Sequence, residues 1–96
     1  MARIEIYTTP TCPYCQMAKA LLREKRADFK EIDVSTKPDL RAAMTQRANG
    51  RRTVPQIFIN DRPIGGNDDL QALERAGKLD ALLSESADAG SSASAR

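Results

Sequence analysis

The sequence has no histidine and no tryptophan, and only two cysteines. Without an imidazole, Ser-His-Asp and Cys-His hydrolases are excluded, because each needs that group as its base. His-ligated metal sites are excluded with them, and the chain cannot supply the four Cys or His ligands of a structural zinc site. A small secreted disulfide framework would need more cysteines, spread along the chain. A c-type haem motif needs His after its second Cys, and position 16 is Gln. Aromatics are 4% of the residues, and the net charge is only +2, from 15 Lys and Arg against 13 Asp and Glu. The one tight basic pair outside a helical stretch is Arg51-Arg52, a weak footprint for nucleic acid. No run approaches the roughly 18 apolar residues of a membrane span. The start, Met1-Ala2-Arg3-Ile4-Glu5-Ile6, carries charges where a signal peptide has an apolar core. The expectation is a cytoplasmic protein engaging neither membrane nor nucleic acid.

What is present reads as one globular domain. The chain has 96 residues, 41% hydrophobic and 29% charged. A chain this short buries about 60–65% of its unfolded surface, so its core is modest. Residues 3–8 alternate and are β-rich, with Ile4 and Ile6 on one face. From Pro13 the period becomes helical: Ala18, Leu21 and Leu22 form a stripe, with Lys19, Arg23 and Glu24 outside, over about 13–26. Residues 29–34 read as a second strand, closing a βαβ unit with a right-handed crossover. Pro38 opens a second helix with Leu40, Ala43 and Met44 as its stripe, and Asn49-Gly50 ends it. Residues 56–59 are a third strand. Asn60-Asp61 is a hairpin turn, and Pro63 makes the fourth strand an edge. Asn67, Asp68 and Asp69 open a third helix, where acidic residues suit the dipole, and Gly77 stops it. Leu79, Leu82 and Leu83 form a last helical turn or two. Nine of the final 12 residues are Ser, Ala or Gly, so residues 85–96 are expected to be a disordered tail on a domain of residues 1–84. The order β-α-β-α-β-β-α(α) predicts an α/β fold with one mixed four-stranded sheet and helices on both faces.

The chemistry lies in Cys12-Pro13-Tyr14-Cys15. In this setting C-x-x-C reads as a redox motif. Cys12 falls at the start of the first helix and Cys15 one turn in, a spacing that brings both sulfurs within disulfide reach. Unpaired N–H groups and about half a positive charge stabilise a thiolate at a helix start. Cys12 is therefore the expected nucleophile and Cys15 the resolving thiol. Two inert buried thiols are the plain alternative, but Pro-Tyr between cysteines at a strand-to-helix turn is not a core pattern.

Three motifs together carry a family resemblance. Cys12-Pro13-Tyr14-Cys15, Thr53-Val54-Pro55 and Gly65-Gly66-Asn67-Asp68-Asp69 resemble, in order and spacing, those of dithiol glutaredoxins. The similarity spans residues 3–83. Ile4-Glu5-Ile6-Tyr7-Thr8 and the run from Val54 to Ile59 look like the bacterial glutaredoxin-3 type. The resemblance implies a thioredoxin fold with sheet order 2-1-3-4 and Pro55 in cis. It also implies glutathione as cosubstrate, with no tightly bound cofactor and no metal. Val54 would pair its backbone with the tripeptide, between Thr53 and Pro55, and Tyr14 would flank it. The γ-glutamyl end would meet Gly66, Asn67, Asp68 and Asp69, where a helix N-terminus suits a carboxylate and an Asp suits an ammonium. Many relatives carry Lys where this chain has Thr9, a missing cation that Arg41 of the second helix is expected to replace in part. Asn67 stands where some relatives have a further Cys, so no third thiol is present.

The implied activity is glutathione-dependent reduction of protein–glutathione mixed disulfides and protein disulfides by a monomer, with ribonucleotide reductase among the candidate clients. Two alternatives stay open: a redoxin served by thioredoxin reductase, and an iron–sulfur carrier ligated by Cys12 and glutathione from two chains. The first would not need Gly65-Gly66-Asn67-Asp68-Asp69. By resemblance, the rigid Pro13 disfavours the second.

Overall fold

The computed structural model describes residues 2–85. Its elements are β1 (Ile4–Thr8), α1 (Pro13–Glu24), β2 (Lys30–Asp33), α2 (Pro38–Arg47), β3 (Gln56–Ile59), β4 (Arg62–Gly65), α3 (Asn67–Arg75) and α4 (Leu79–Ser84). The strands form one sheet in the order β2-β1-β3-β4. β1 runs parallel to β2 and antiparallel to β3, and β4 returns antiparallel along β3. This is the mixed sheet the resemblance implies, and Pro63 does lie on an edge strand.

The period-2 alternation of β1 and β3 divides the core in two. Ile4, Ile6, Ile57 and Ile59 point to one face, against Ala18, Leu21 and Leu22 of α1, Leu70 of α3, and Leu79 and Leu83 of α4. Tyr7 and Phe58 point to the other, against Val34, Met44 and Ala48. Fully burying each large aliphatic side chain contributes about 1.5–3 kcal/mol. Helices thus cover both faces, α2 alone on the second. Its stripe differs from the expected one. Ala43 is exposed, and the row that touches the sheet is Leu40, Met44 and Ala48, at four-residue spacing. A single helix lying on two aromatic rings presents one narrow row. Arg47 of α2 closes that layer: it donates to Tyr7 Oη (2.8 Å) and Glu5 Oε1 (2.9 Å), with its guanidinium 4.1 Å from the Phe58 ring centre.

Local chemistry sets most of the ends. α1 stops at Glu24, short of the expected residue 26, because Arg26 adopts φ +57°. Its N–H then donates to the Arg23 carbonyl and that of Ala27 to the Leu22 carbonyl, both at 2.9 Å, so the last carbonyls are satisfied. β2 begins at Lys30, and Phe29 instead packs beside the α1 face, under the Arg23 guanidinium. Asn60 and Asp61, both at positive φ, make the β3–β4 turn. Glu85 pairs with Arg62 at 2.7 Å, and the rest of the expected tail, 86–96, lies outside the described residues. Among the described residues, no helix is long and apolar enough to cross a membrane.

Candidate active site

The chain leaves β1 at Thr8 and turns through Thr9-Pro10-Thr11, the Cys12 N–H donating to the Thr9 carbonyl at 3.3 Å. Cys12 is the N-cap of α1, and Pro13 occupies the first helical position, where its missing N–H is not needed. The cap is made by sulfur: Cys12 Sγ accepts the Cys15 N–H at 3.1 Å. The same sulfur lies 3.6 Å from the Val54 carbonyl oxygen, and the Val54–Pro55 bond is cis. Cys12 is half-buried, whereas Cys15 is fully buried, and both are free thiols. Burial, then the neighbouring Cys12 side chain, pushes the Cys15 thiol up to about 12. Cys15 therefore keeps its proton at neutral pH, while Cys12 faces the positive end of a helix.

Beside Cys12 opens a cleft of about 240 Å³, lined by Tyr14, Arg51, Thr53, Val54, Pro55, Gly66, Asn67, Asp68 and Asp69. The fold brings three distant segments together here: the start of α1, the loop before β3 and the N-terminus of α3. Arg41 is not on its wall. Its Nη2 donates to the Arg52 carbonyl at 3.0 Å, tying α2 to the loop that carries Thr53 and Val54. Arg51 takes the wall position, 3.3 Å from Asp69 Oδ2. In the sequence Arg51 stands out only as half of a basic pair with Arg52. Its place two residues before Thr53 was the available signal.

The two aspartates are not equivalent. Asp69 Oδ2 accepts the Gly66 N–H at 2.9 Å, capping α3, and also pairs with Arg51. Asp68 is exposed and has no such partner among the described residues. Gly65, at φ +112°, passes directly beneath the Arg51–Asp69 pair, where a Cβ would press on the Asp69 carboxylate. That close approach accounts for a glycine at this position.

A second cluster corrects the expectation that Lys19 faces solvent. It is 7% exposed. Its Nζ lies 2.8 Å from Glu31 Oε2, which also accepts the Thr8 hydroxyl at 2.8 Å. The partner on β2 is what turns the lysine inward.

With this geometry, the glutaredoxin family model matches residues 4–64. The chain belongs to the glutaredoxin family. This is a family of glutathione-linked redox proteins with the thioredoxin fold. It is 58% identical to a glutaredoxin of Pseudomonas aeruginosa, covering 88% of this chain and 99% of that one. It is 53% identical to glutaredoxin 3 of Escherichia coli K12, over 86% and 99% respectively. The crystal structure of a buckwheat glutaredoxin–glutathione complex superposes with a TM-score of 0.78 at 32% identity, covering 85% of this chain and 76% of that one.

Proposed function

We propose that this glutaredoxin is a glutathione-dependent thiol–disulfide oxidoreductase acting on protein–glutathione mixed disulfides and on protein disulfides. The observation that carries the reading is the pairing of two unlike thiols, one a helix cap and one buried, beside a cleft that ends at the N-terminus of α3. The Cys12 thiolate attacks the glutathionyl sulfur of the client. The client sulfur leaves and takes a proton, and Cys12 carries glutathione. A second glutathione thiolate attacks that glutathionyl sulfur, releasing oxidised glutathione and restoring Cys12. On a client disulfide, Cys12 attacks one sulfur, Cys15 then attacks Cys12, and two glutathiones reduce the resulting bond. In the cleft, glutathione lies along Val54 with Tyr14 at its flank. Its γ-glutamyl carboxylate meets the free N–H groups of α3 and its ammonium meets Asp68.

Turnover of a glutathionylated peptide, coupled to glutathione reductase, tests this. Cys12→Ser is expected to be inactive, and Cys15→Ser to retain mixed-disulfide turnover while losing protein-disulfide turnover. Equal loss in both variants, or activity only with thioredoxin reductase, would overturn the reading.

A further inference from the structure

The Lys19–Glu31–Thr8 cluster, in which Lys19 and Thr8 are buried and Glu31 is exposed, has no part in the steps above. Lys19 follows Cys15 by four residues, so both lie on the inward face of α1. Helical side chains lean toward the helix N-terminus, which carries the Lys19 ammonium back toward the turn that holds Cys15. Its nitrogen is fixed there by Glu31, and Glu31 in turn by Thr8, itself 1% exposed. Glu31 is held below the usual carboxylate range, first by its bond to Lys19, so the pair is ionic. An ion pair whose carboxylate is exposed contributes little stability, about 0–1 kcal/mol. Lys19 shares the buried face of α1 with Cys15 and its charge reaches that thiol, which points to an electrostatic task.

We infer that Lys19, oriented by Glu31 and Thr8, is a positioning residue for the resolving step, stabilising the charge that develops on Cys15 Sγ as it attacks Cys12. The inference rests on the redox reading above. In that step, a Cys15–Cys12 bond forms and the bond from Cys12 to the glutathionyl sulfur breaks. Cys15 is oxidised, the glutathionyl sulfur is reduced, and glutathione leaves with the proton Cys15 gave up. Burial and the adjacent Cys12 oppose ionisation of Cys15, while the Thr9 backbone and the Lys19 charge favour it. Arg23, on the next turn of α1, also acts on Glu31 and helps keep it ionised. Lys19 is the cation on the buried face of α1. Its field therefore matters to the route that uses Cys15 and little to the route that uses Cys12 alone.

The test is a single turnover. Reduced protein is mixed with oxidised glutathione, quenched with acid, and the glutathione adduct and the closed disulfide are counted by mass. Lys19→Met, which removes the cation and leaves the Glu31 charge, is expected to slow closure about fivefold or more. Glu31→Gln, which leaves the ammonium unneutralised, is expected to speed closure about twofold. Lys19→Arg keeps the charge and is expected to stay within about twofold of the parent. In a Cys15→Ser background, all three should change glutathionylated-peptide turnover by less than about twofold. Opposite signs for the Lys19→Met and Glu31→Gln variants support the inference. Slowing by both, or a change in neither, overturns it. Where Lys19→Met fails to fold, the sign of Glu31→Gln decides. Absence of turnover in the Cys15→Ser parent would instead remove the redox reading beneath it.

Discussion

The most direct physical consequence of the buried thiol is a loss of stability in alkali. Cys15 is raised from 9.0, its ordinary value, to about 12, chiefly because burial penalises the thiolate. The folded chain then holds this proton more tightly than the unfolded chain. Stability contributed by the neutral thiol is complete below pH 9 and is lost as pH rises from there toward the folded value. At pH 10 the unfolded thiol is about 90% ionised and the folded one hardly at all, so unfolding gains about 1.4 kcal/mol. A folded value about one unit lower gives nearly the same figure at pH 10. The comparison is Cys12→Ser against Cys12→Ser/Cys15→Ala, both monothiol or thiol-free and both denatured with urea at pH 7 and pH 10. The cavity left by alanine costs the same at either pH and cancels in the difference. The stability gap between the two chains should shrink by about 1.4 kcal/mol, a midpoint change of about 1 M in urea. An unchanged gap would mean that Cys15 ionises as readily folded as unfolded, and would refute the claim that burial sets its chemistry.

Three further outcomes follow from the geometry. Gly65→Ala places a side chain at φ +112° against the Arg51–Asp69 pair. It is expected to lose about 1–3 kcal/mol in a urea titration and to raise the KM for glutathione; a wild-type midpoint contradicts this. Arg47→Met leaves Tyr7 Oη and Glu5 Oε1 without their donor. The expected cost is about 1–3 kcal/mol by thermal unfolding, with turnover per folded molecule unaltered because Arg47 does not line the cleft. Asp68→Asn should raise the KM for glutathione about tenfold at constant stability. Asp69→Asn should raise it and also lower the melting temperature, since that carboxylate caps Gly66. Equal melting temperatures in the two variants would remove the distinction between them.

How much of this was legible beforehand depends on the range of the interaction involved. The alternation of Ile4 and Ile6, the helical stripe from Ala18 to Leu22, Pro13 at the start of α1, the Asn60-Asp61 turn and Gly77 after α3 are local signals. Steric limits on one or two residues act whatever the rest of the chain does, and each element they announced is present. The redox motif was legible for the same reason, since helix polarity distinguishes Cys12 from Cys15 within four residues. The partners were not. Lys19 meets Glu31 across 12 residues, and Arg51 meets Asp69 across 18. Ala43 is exposed and Ala48 buried because of how α2 lies on Tyr7 and Phe58. A charge on an amphipathic helix reads as solvent-facing until a strand with an opposite charge is laid beside it. The sequence alone therefore determined the order of elements and the placing of the two thiols at the start of α1, through local backbone sterics and periodicity. Only the packing of the sheet decided which charges are buried and which residues wall the cleft, because those depend on surfaces that meet once the chain has folded.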